Sequence, residues 1–148
     1  MFEREYEIRW VDLDPNGHMR HSAYLDYGAQ IRLAAMAEYG LSMGEMARQG
    51  VGPVLFKEAI EYRREIRAGE TVVVGCELTG MSVNGKHWRM RHVIKKHDGE
   101  VAAIIEVQGA WLDLKARRVA PAPEAIQALV AKMPRSEDYA EFDSSQGR

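Results

Sequence analysis

Residues 10–24 contain most of the side chains in this sequence that could carry out a reaction. Two carboxylates, Asp12 and Asp14, and two imidazoles, His18 and His21, lie around an Asp-Pro-Asn-Gly turn. A carboxylate that faces a bound carbonyl can act as a nucleophile or as the base for a water molecule. The two acids are two residues apart, and spacing alone does not rank them.

A helix is predicted directly after this turn, over residues 23–39, with Ser22 as its N-cap and Gly40 at its end. Backbone N–H groups at a helix N-terminus carry partial positive charge and can hydrogen-bond a developing oxyanion. Asp14 beside such a terminus is therefore a candidate hydrolytic group. The alternative interpretation is that Asp14 only shapes the turn.

Other kinds of site find less support. His18 and His21 with the two acids have loose spacing and no second cluster downstream, so no metal site is predicted. Residues 80–87, GMSVNGKH, nearly match a phosphate-binding P-loop, but His87 replaces the required Ser or Thr and a strand follows instead of a helix. No Gly-x-Ser-x-Gly elbow is present in the sequence. Cys76, the single cysteine, lies in a Val-rich run typical of a core position.

The elements around the turn indicate an α+β domain with one antiparallel sheet and one central helix. The helix over 23–39 is apolar around most of its circumference, so a curved sheet is expected to wrap it. Alternating segments predict the strands 2–11, 54–66, 70–79, 86–96 and 100–114, with short helices at 41–49 and 123–132. Asn84-Gly85 and Asp98-Gly99 are favoured hairpin turns, and they indicate a long antiparallel meander.

Composition limits the classes of function. The chain has 148 residues, 46% of them hydrophobic, and a net charge of −2, which gives no reason to expect binding to nucleic acid. The N-terminus lacks the apolar run of a signal peptide, no membrane span is predicted, and a cytoplasmic location is expected. Residues 1–135 are predicted to form one domain, and 136–148 a polar, acidic and poorly ordered tail.

Residues 12–25, DLDPNGHMRHSAYL, followed by a long helix and four strands, resemble the hotdog-fold acyl-CoA thioesterases. Among these the chain is most similar to the 4-hydroxybenzoyl-CoA thioesterase type, including proteins associated with the bacterial Tol–Pal gene cluster. The similarity runs from about Tyr6 to Ala125 and includes the segment 111–118 with Pro121 and Pro123. It implies an antiparallel five-stranded sheet wrapped around a central helix. It also implies a homodimer or homotetramer with active sites at the dimer interface.

The resemblance implies that Asp14 is the catalytic carboxylate. It also implies that a backbone N–H at the helix start, near His21, polarises the thioester carbonyl. The His21 ring is a further catalytic candidate. Trp10 occupies the position at which the Tol–Pal-associated members have a Tyr. Trp has no hydroxyl, so a role that depends on the Tyr hydroxyl is not assigned to this chain. The substrate-binding residues predicted on this basis are Gly17, His18, Ser22, Tyr24, Arg89 and Arg91. For the CoA phosphates, a strand with Lys86, Arg89 and Arg91 and a second patch with Arg63 and Arg64 both remain candidates.

The resemblance implies hydrolysis of an acyl-CoA thioester to a free acid and CoA without a cofactor. Two alternatives stay open at this point. A hotdog dehydratase or hydratase would need a His and a carboxylate on the central helix, and Asp26 and Glu38 offer no obvious match. A non-catalytic acyl-CoA-binding or scaffolding protein would bind the ligand without turnover.

Overall fold

The computed structural model describes residues 1–144, and these contain seven β-strands and three α-helices. In chain order the elements are β1 Phe2–Glu7, α1 Ala23–Glu38, α2 Met43–Arg48, β2 Val51–Tyr62, β3 Thr71–Ser82, β4 His87–Lys96, β5 Val101–Asp113, β6 Arg118–Val119, α3 Glu124–Val130 and β7 Arg135–Phe142. A short 3₁₀ helix, Trp10–Asp12, takes the last residues that were predicted as the first strand.

The strands form one sheet in the order β1-β3-β4-β5-β2, with the short β6 beside β5 and β7 beside β3. The five predicted strands are present, but the prediction of a simple meander is wrong because β2 pairs with β5 and not with β3. Residues 63–70 carry the chain from β2 back to β3. Alternation of apolar residues tells which face a residue takes, but it does not tell which strand is the neighbour.

The long helix α1 packs one face against this sheet. The buried residues of that face are Ala23, Tyr24, Tyr27, Gly28, Ile31, Ala35 and Met36. Gly28 allows the close approach, because a Cβ atom there would lie 3.0 Å from Ile105 Cδ1 and 3.4 Å from His92 Cδ2. The opposite face is open, and Leu33 is 42% exposed on it. The sheet therefore covers the helix on one side only within this chain.

A polar pair lies beneath α1 in the otherwise apolar core. The His92 ring is fully buried, and its Nε2 is 2.9 Å from Arg32 Nη1. Burial, and then the nearby Arg32 charge, lowers the pKa of His92 to about 3. The ring is therefore neutral at physiological pH, and Nε2 accepts the hydrogen bond from the guanidinium.

The segment predicted as a poorly ordered tail is in large part a strand. β7 pairs in parallel with β3 over Gly80–Ser82. It lies on the same edge of β3 as β1, whose pairing ends where Phe2 meets Cys76. Its acidic side chains misled the prediction, since Asp138 is neutralised by two hydrogen bonds from Arg91, of 3.1 and 2.9 Å. Residues 145–148, the end of the predicted tail, lie outside the described residues.

Candidate active site

Asp14 is held in a tight turn that leaves half of its carboxylate available. Its Oδ1 accepts hydrogen bonds from the backbone N–H groups of Asn16, at 2.9 Å, and His18, at 3.1 Å. Gly17 makes the turn possible with a φ of +80°, and its N–H donates to the Asp14 carbonyl at 3.0 Å. Within residues 1–144, Asp14 Oδ2 has no hydrogen-bond partner. The turn therefore fixes the carboxylate and keeps one oxygen available for chemistry.

Asp12, the other acid, is buried and fully engaged. Its side chain is 0% exposed, accepts hydrogen bonds from Arg9 Nε and Nη2 at 3.1 and 2.9 Å, and accepts a third from Tyr27 Oη at 2.6 Å. The pKa of Asp12 is lowered, chiefly by the hydrogen bonds from Arg9, with Tyr27 adding to the effect against the opposing effect of burial. Asp12 thus ties the 3₁₀ turn to α1, and this geometry suits an anchor.

The start of α1 presents backbone donors. Ser22 occupies the N-cap position of α1 as predicted, but its side chain makes no capping hydrogen bond, because its hydroxyl accepts from Arg20 Nη1 at 2.6 Å. Among the described residues, the backbone N–H groups of His21 and Ser22 have no acceptor. Two unpaired N–H groups at the positive end of a 16-residue helix can hold a carbonyl oxygen on which negative charge develops.

Asp14 and His21 share one open cleft of about 420 Å³, which the predicted residues Gly17 and Ser22 do not line. It is lined by Asp14, His18, His21 and Tyr24 of the predicted set, and also by Tyr62, Arg63, Arg64 and Glu65 from the end of β2. His18 is further tied to that segment, since its Nε2 lies 3.1 Å from Glu65 Oε2. The structure thus brings the turn, the helix start and the end of β2 to one place.

The two predicted strand arginines lie elsewhere. They alternate along β4 with Met90 and His92, which face the core, and so they project from the opposite face of the sheet. Arg91 contacts Glu106 at 2.7 Å, Asp138 at 2.9 Å and Glu77 at 3.5 Å. The hydrogen bond to Asp138, more than the other contacts, raises the pKa of Arg91.

Arg89 stacks over the Phe142 ring at 3.7 Å and lines a separate cavity of about 410 Å³. Neither β4 arginine lines the cleft of Asp14 in this chain. By contrast, both residues of the alternative phosphate patch, Arg63 and Arg64, do line it.

Tyr62 was not predicted as a site residue. Its hydroxyl donates to the His21 carbonyl at 2.9 Å, and its ring meets the Tyr24 ring edge-on at 5.0 Å. The sequence holds little that would reveal it, because a Tyr near the end of an alternating strand is common. Only the pairing of β2 with β5 brings this residue, 41 positions downstream, to the helix start.

In residues 1–144, no group of three or more His, Cys, Asp or Glu side chains could hold a metal ion. No helix in the same range is long and apolar enough to cross a membrane.

Comparison with known proteins gives a family match and related folds. A family model described as the thioesterase-like superfamily matches residues 8–130. YneP of Bacillus subtilis (strain 168), named as a candidate acyl-CoA thioesterase, is 29% identical over 72 residues, 49% of this chain and 52% of YneP. The match to this curated relative thus spans about half of its length.

Solved structures extend the likeness to the whole fold. SAV2348 of Staphylococcus aureus, solved in complex with CoA, superposes with a TM-score of 0.82 at 19% identity, covering 99% of this chain and 92% of that one. Slr0204 of Synechocystis, a 1,4-dihydroxy-2-naphthoyl-CoA thioesterase, superposes with a TM-score of 0.78 at 16% identity, covering 88% and 96%. The predicted hotdog fold, α+β with a curved antiparallel sheet on a long helix, is confirmed.

Proposed function

The chain belongs to the thioesterase-like superfamily, and on that premise we propose that it hydrolyses an acyl-CoA thioester to a free acid and CoA. One observation carries the proposal. A carboxylate oxygen of Asp14 without a hydrogen-bond partner shares its cleft with His21, where α1 begins with unpaired N–H groups. This is the pair that acyl transfer requires, an attacking or water-activating group and a donor for the oxyanion.

In the proposed reaction the thioester carbonyl oxygen accepts a hydrogen bond from the N–H group of His21, which has no acceptor among the described residues. Asp14 Oδ2 attacks the carbonyl carbon, the C–S bond breaks, and the CoA thiolate leaves and takes up a proton. Water then hydrolyses the resulting anhydride to the free acid and the Asp14 carboxylate. Alternatively, Asp14 removes a proton from the water that attacks directly. The His21 ring lies in the same cleft and is the second proposed catalytic group.

The other predicted residues take supporting roles in this proposal. Gly17 gives the turn its shape, and the backbone N–H of His18 fixes Asp14. Tyr24 lines the cleft and contributes an apolar ring beside the acyl group. Ser22 does not line the cleft and its hydroxyl is engaged by Arg20, so it is given no direct contact with the substrate.

For the CoA phosphates, the cleft favours Arg63 and Arg64. Each is roughly half exposed and pairs with one exposed carboxylate, Glu61 or Glu100, which a phosphate group could displace. Comparing Arg64→Met with Arg91→Met tests this assignment against the β4 arginines. We expect KM for acyl-CoA to rise several-fold more in Arg64→Met, and the reverse result would assign the phosphates to β4.

We further propose that the cleft is completed by a second copy of the chain, in a homodimer or homotetramer. β2 is the last strand of the main sheet order, so its outer edge has no neighbouring strand among the described residues. Leu55 and Phe56 on β2 are 43% and 50% exposed, and Leu33 of α1 is open as well. Light scattering of the purified protein is expected to give a dimer or tetramer, and a monomer would contradict the proposal.

The direct test is a panel of acyl-CoAs in which a thiol reagent detects released CoA. Wild-type protein should release CoA from at least one member, and Asp14→Asn should not. Binding without release would instead support a non-catalytic acyl-CoA-binding protein. A product that keeps the thioester bond, seen by mass spectrometry, would support a dehydratase, although Asp26 and Glu38 are 63% and 57% exposed on α1. A cytoplasmic location stays a prediction.

A further inference from the structure

Residues 63–70, which join β2 to β3, also pair with the turn that holds the candidate nucleophile. The Met19 N–H donates to the Ile66 carbonyl at 2.7 Å, and the Ala68 N–H donates to the Gly17 carbonyl at 3.1 Å. This segment, the connector, therefore fixes both ends of the stretch from Gly17 to Met19.

That stretch carries a contact that orients the Asp14 carboxylate. Its middle residue is His18, whose backbone N–H donates to Asp14 Oδ1 at 3.1 Å. A shift of the stretch would move this donor and turn the carboxylate with it. Because a misplacement of about 1 Å in a reacting group can cost a reaction about a hundredfold in rate, the position of the connector matters for the chemistry.

The connector is itself held at two points by Lys96, the last residue of β4. Lys96 Nζ donates to the Glu65 carbonyl at 2.9 Å and lies 3.2 Å from Glu70 Oε1. The other carboxylate oxygen of Glu70 accepts from the Arg67 N–H. Glu65 and Glu70 lie on either side of the residues that pair with the turn. One ammonium group thus holds the connector at both of its flanks.

The ammonium group of Lys96 is withdrawn from water. Only 18% of the Lys96 side chain and 20% of the Glu70 side chain are exposed. A lysine in such a place is stable only with polar partners. Burial alone would raise the pKa of Glu70, but the hydrogen bonds from the Arg67 N–H and from Lys96 lower it below its usual value. The pair is therefore charged at neutral pH, and water does not easily replace its contacts.

We propose that Lys96 is a positioning residue for hydrolysis. By holding the connector against the turn, it keeps the Asp14 carboxylate in the orientation that attack on the thioester, or activation of the attacking water, requires. The proposal rests on the proposed thioesterase function. Lys96 does not line the cleft, so it acts through the connector and makes no contact with the substrate.

The first test is Lys96→Met, which removes the ammonium group and keeps most of the aliphatic stem. We expect kcat to fall about tenfold, since a looser turn misaligns the carboxylate without removing it. Lys95→Met is the matched control, because it makes the same change one residue earlier, where the side chain is 37% exposed and pairs with Glu3 at 3.5 Å. Its kcat should equal that of the wild type. An unchanged kcat in folded Lys96→Met would overturn the proposal.

The second test separates positioning from a general loss of stability. Hydrogen exchange of the Met19 and Ala68 amides, measured by NMR, reports whether the connector stays paired with the turn. We expect exchange at these two amides to be at least about tenfold faster in Lys96→Met, while the amides between β4 and β5 keep their wild-type rates. Faster exchange throughout the sheet, or a fall in kcat with unchanged exchange at both amides, would overturn the proposal.

A milder variant covers the case in which Lys96→Met does not fold, as shown by circular dichroism. Lys96→Gln removes the charge and keeps a donor, and it takes the place of Lys96→Met in both tests with the same expected pattern.

The two levels of inference fail in different ways. If wild type releases CoA from no acyl-CoA, the proposed function fails before any variant is compared. If wild type is active and a folded Lys96 variant has the same kcat, only the role of Lys96 fails.

Discussion

Asp12 and Asp14 are two residues apart, yet the structure gives them opposite environments. Asp12 is fully buried and accepts three side-chain hydrogen bonds from Arg9 and Tyr27. Asp14 lies in an open cleft, anchored through one oxygen by two backbone N–H groups. A carboxylate whose oxygens are saturated stabilises a fold, while one with an oxygen available can react. The difference lies in the partners that the fold supplies and not in the residue type.

Replacing Asp14 is expected to give the largest effect, a loss of activity with little loss of stability. Asn at this position keeps an oxygen that can accept from the Asn16 and His18 N–H groups but cannot act as a nucleophile or base. We expect Asp14→Asn to lower kcat at least about a thousandfold and to change the free energy of unfolding by less than about 0.5 kcal/mol. Steady-state kinetics and urea unfolding measure the two effects. A large loss of stability would mean that Asp14 also serves as an anchor.

Asp12→Asn should show the opposite profile. It removes the charge that binds Arg9 and Tyr27 in a buried site, so we expect a loss of about 2–3 kcal/mol in unfolding free energy. The kcat of the protein that remains folded should stay within a few-fold of wild type. Asp26→Asn, at an exposed position on α1, is the matched control and should be near neutral. A stable but inactive Asp12→Asn would make Asp12 a catalytic candidate again.

Tyr27→Phe tests the role of Asp12 as an anchor, because it removes one of the three side-chain hydrogen bonds that the Asp12 carboxylate accepts. The 2.6 Å contact to a charged oxygen is lost while the ring is kept, so we expect a decrease of about 1.5 kcal/mol in unfolding free energy. Tyr6→Phe is the matched control, because the Tyr6 ring packs edge-on against Tyr27 but its hydroxyl makes no hydrogen bond to Asp12. Tyr6→Phe should change stability by less than about 0.5 kcal/mol. Equal effects of the two substitutions would argue against the hydrogen bond.

The smallest effect is expected in the acid dependence of stability. The folded pKa of Asp12 is lowered, mainly by the hydrogen bonds from Arg9, below the unfolded value of about 3.9. Its contribution is therefore complete above about pH 5 and is lost as pH falls through the folded pKa. The difference in unfolding free energy between wild type and Asp12→Asn should narrow below about pH 4. A difference independent of pH would show that the carboxylate charge is unimportant.

Local sequence signals predicted most of the elements. The structure confirms the helix predicted over 23–39, which it ends at Glu38, and the two hairpin turns, where Gly85 and Gly99 have φ values of +73° and +89°. The short helix predicted over 41–49 is also present as α2, and Ser42 Oγ caps it by accepting from the Glu45 N–H at 3.1 Å. These features depend on residues a few positions apart, so the sequence displays them directly.

Features that depend on distant residues were missed. The pairing of β2 with β5, the parallel strand β7 and the contact of Tyr62 with His21 each join segments that are far apart in the chain. The capping hydrogen bond expected of Ser22 was a local error, because Arg20, only two residues earlier, engages its hydroxyl. At the site, the turn and helix start were visible in the sequence, while the wall contributed by β2 was not.

The strand β7 also has a consequence for the solubility of the protein. It covers the edge of β3 at Gly80, Met81 and Ser82, where β1 no longer reaches. A chain shortened to end at residue 134 would leave those N–H and C=O groups open to pair with a strand of another molecule. Removing this acidic segment is therefore expected to promote aggregation, although none of its residues lines the cleft of Asp14.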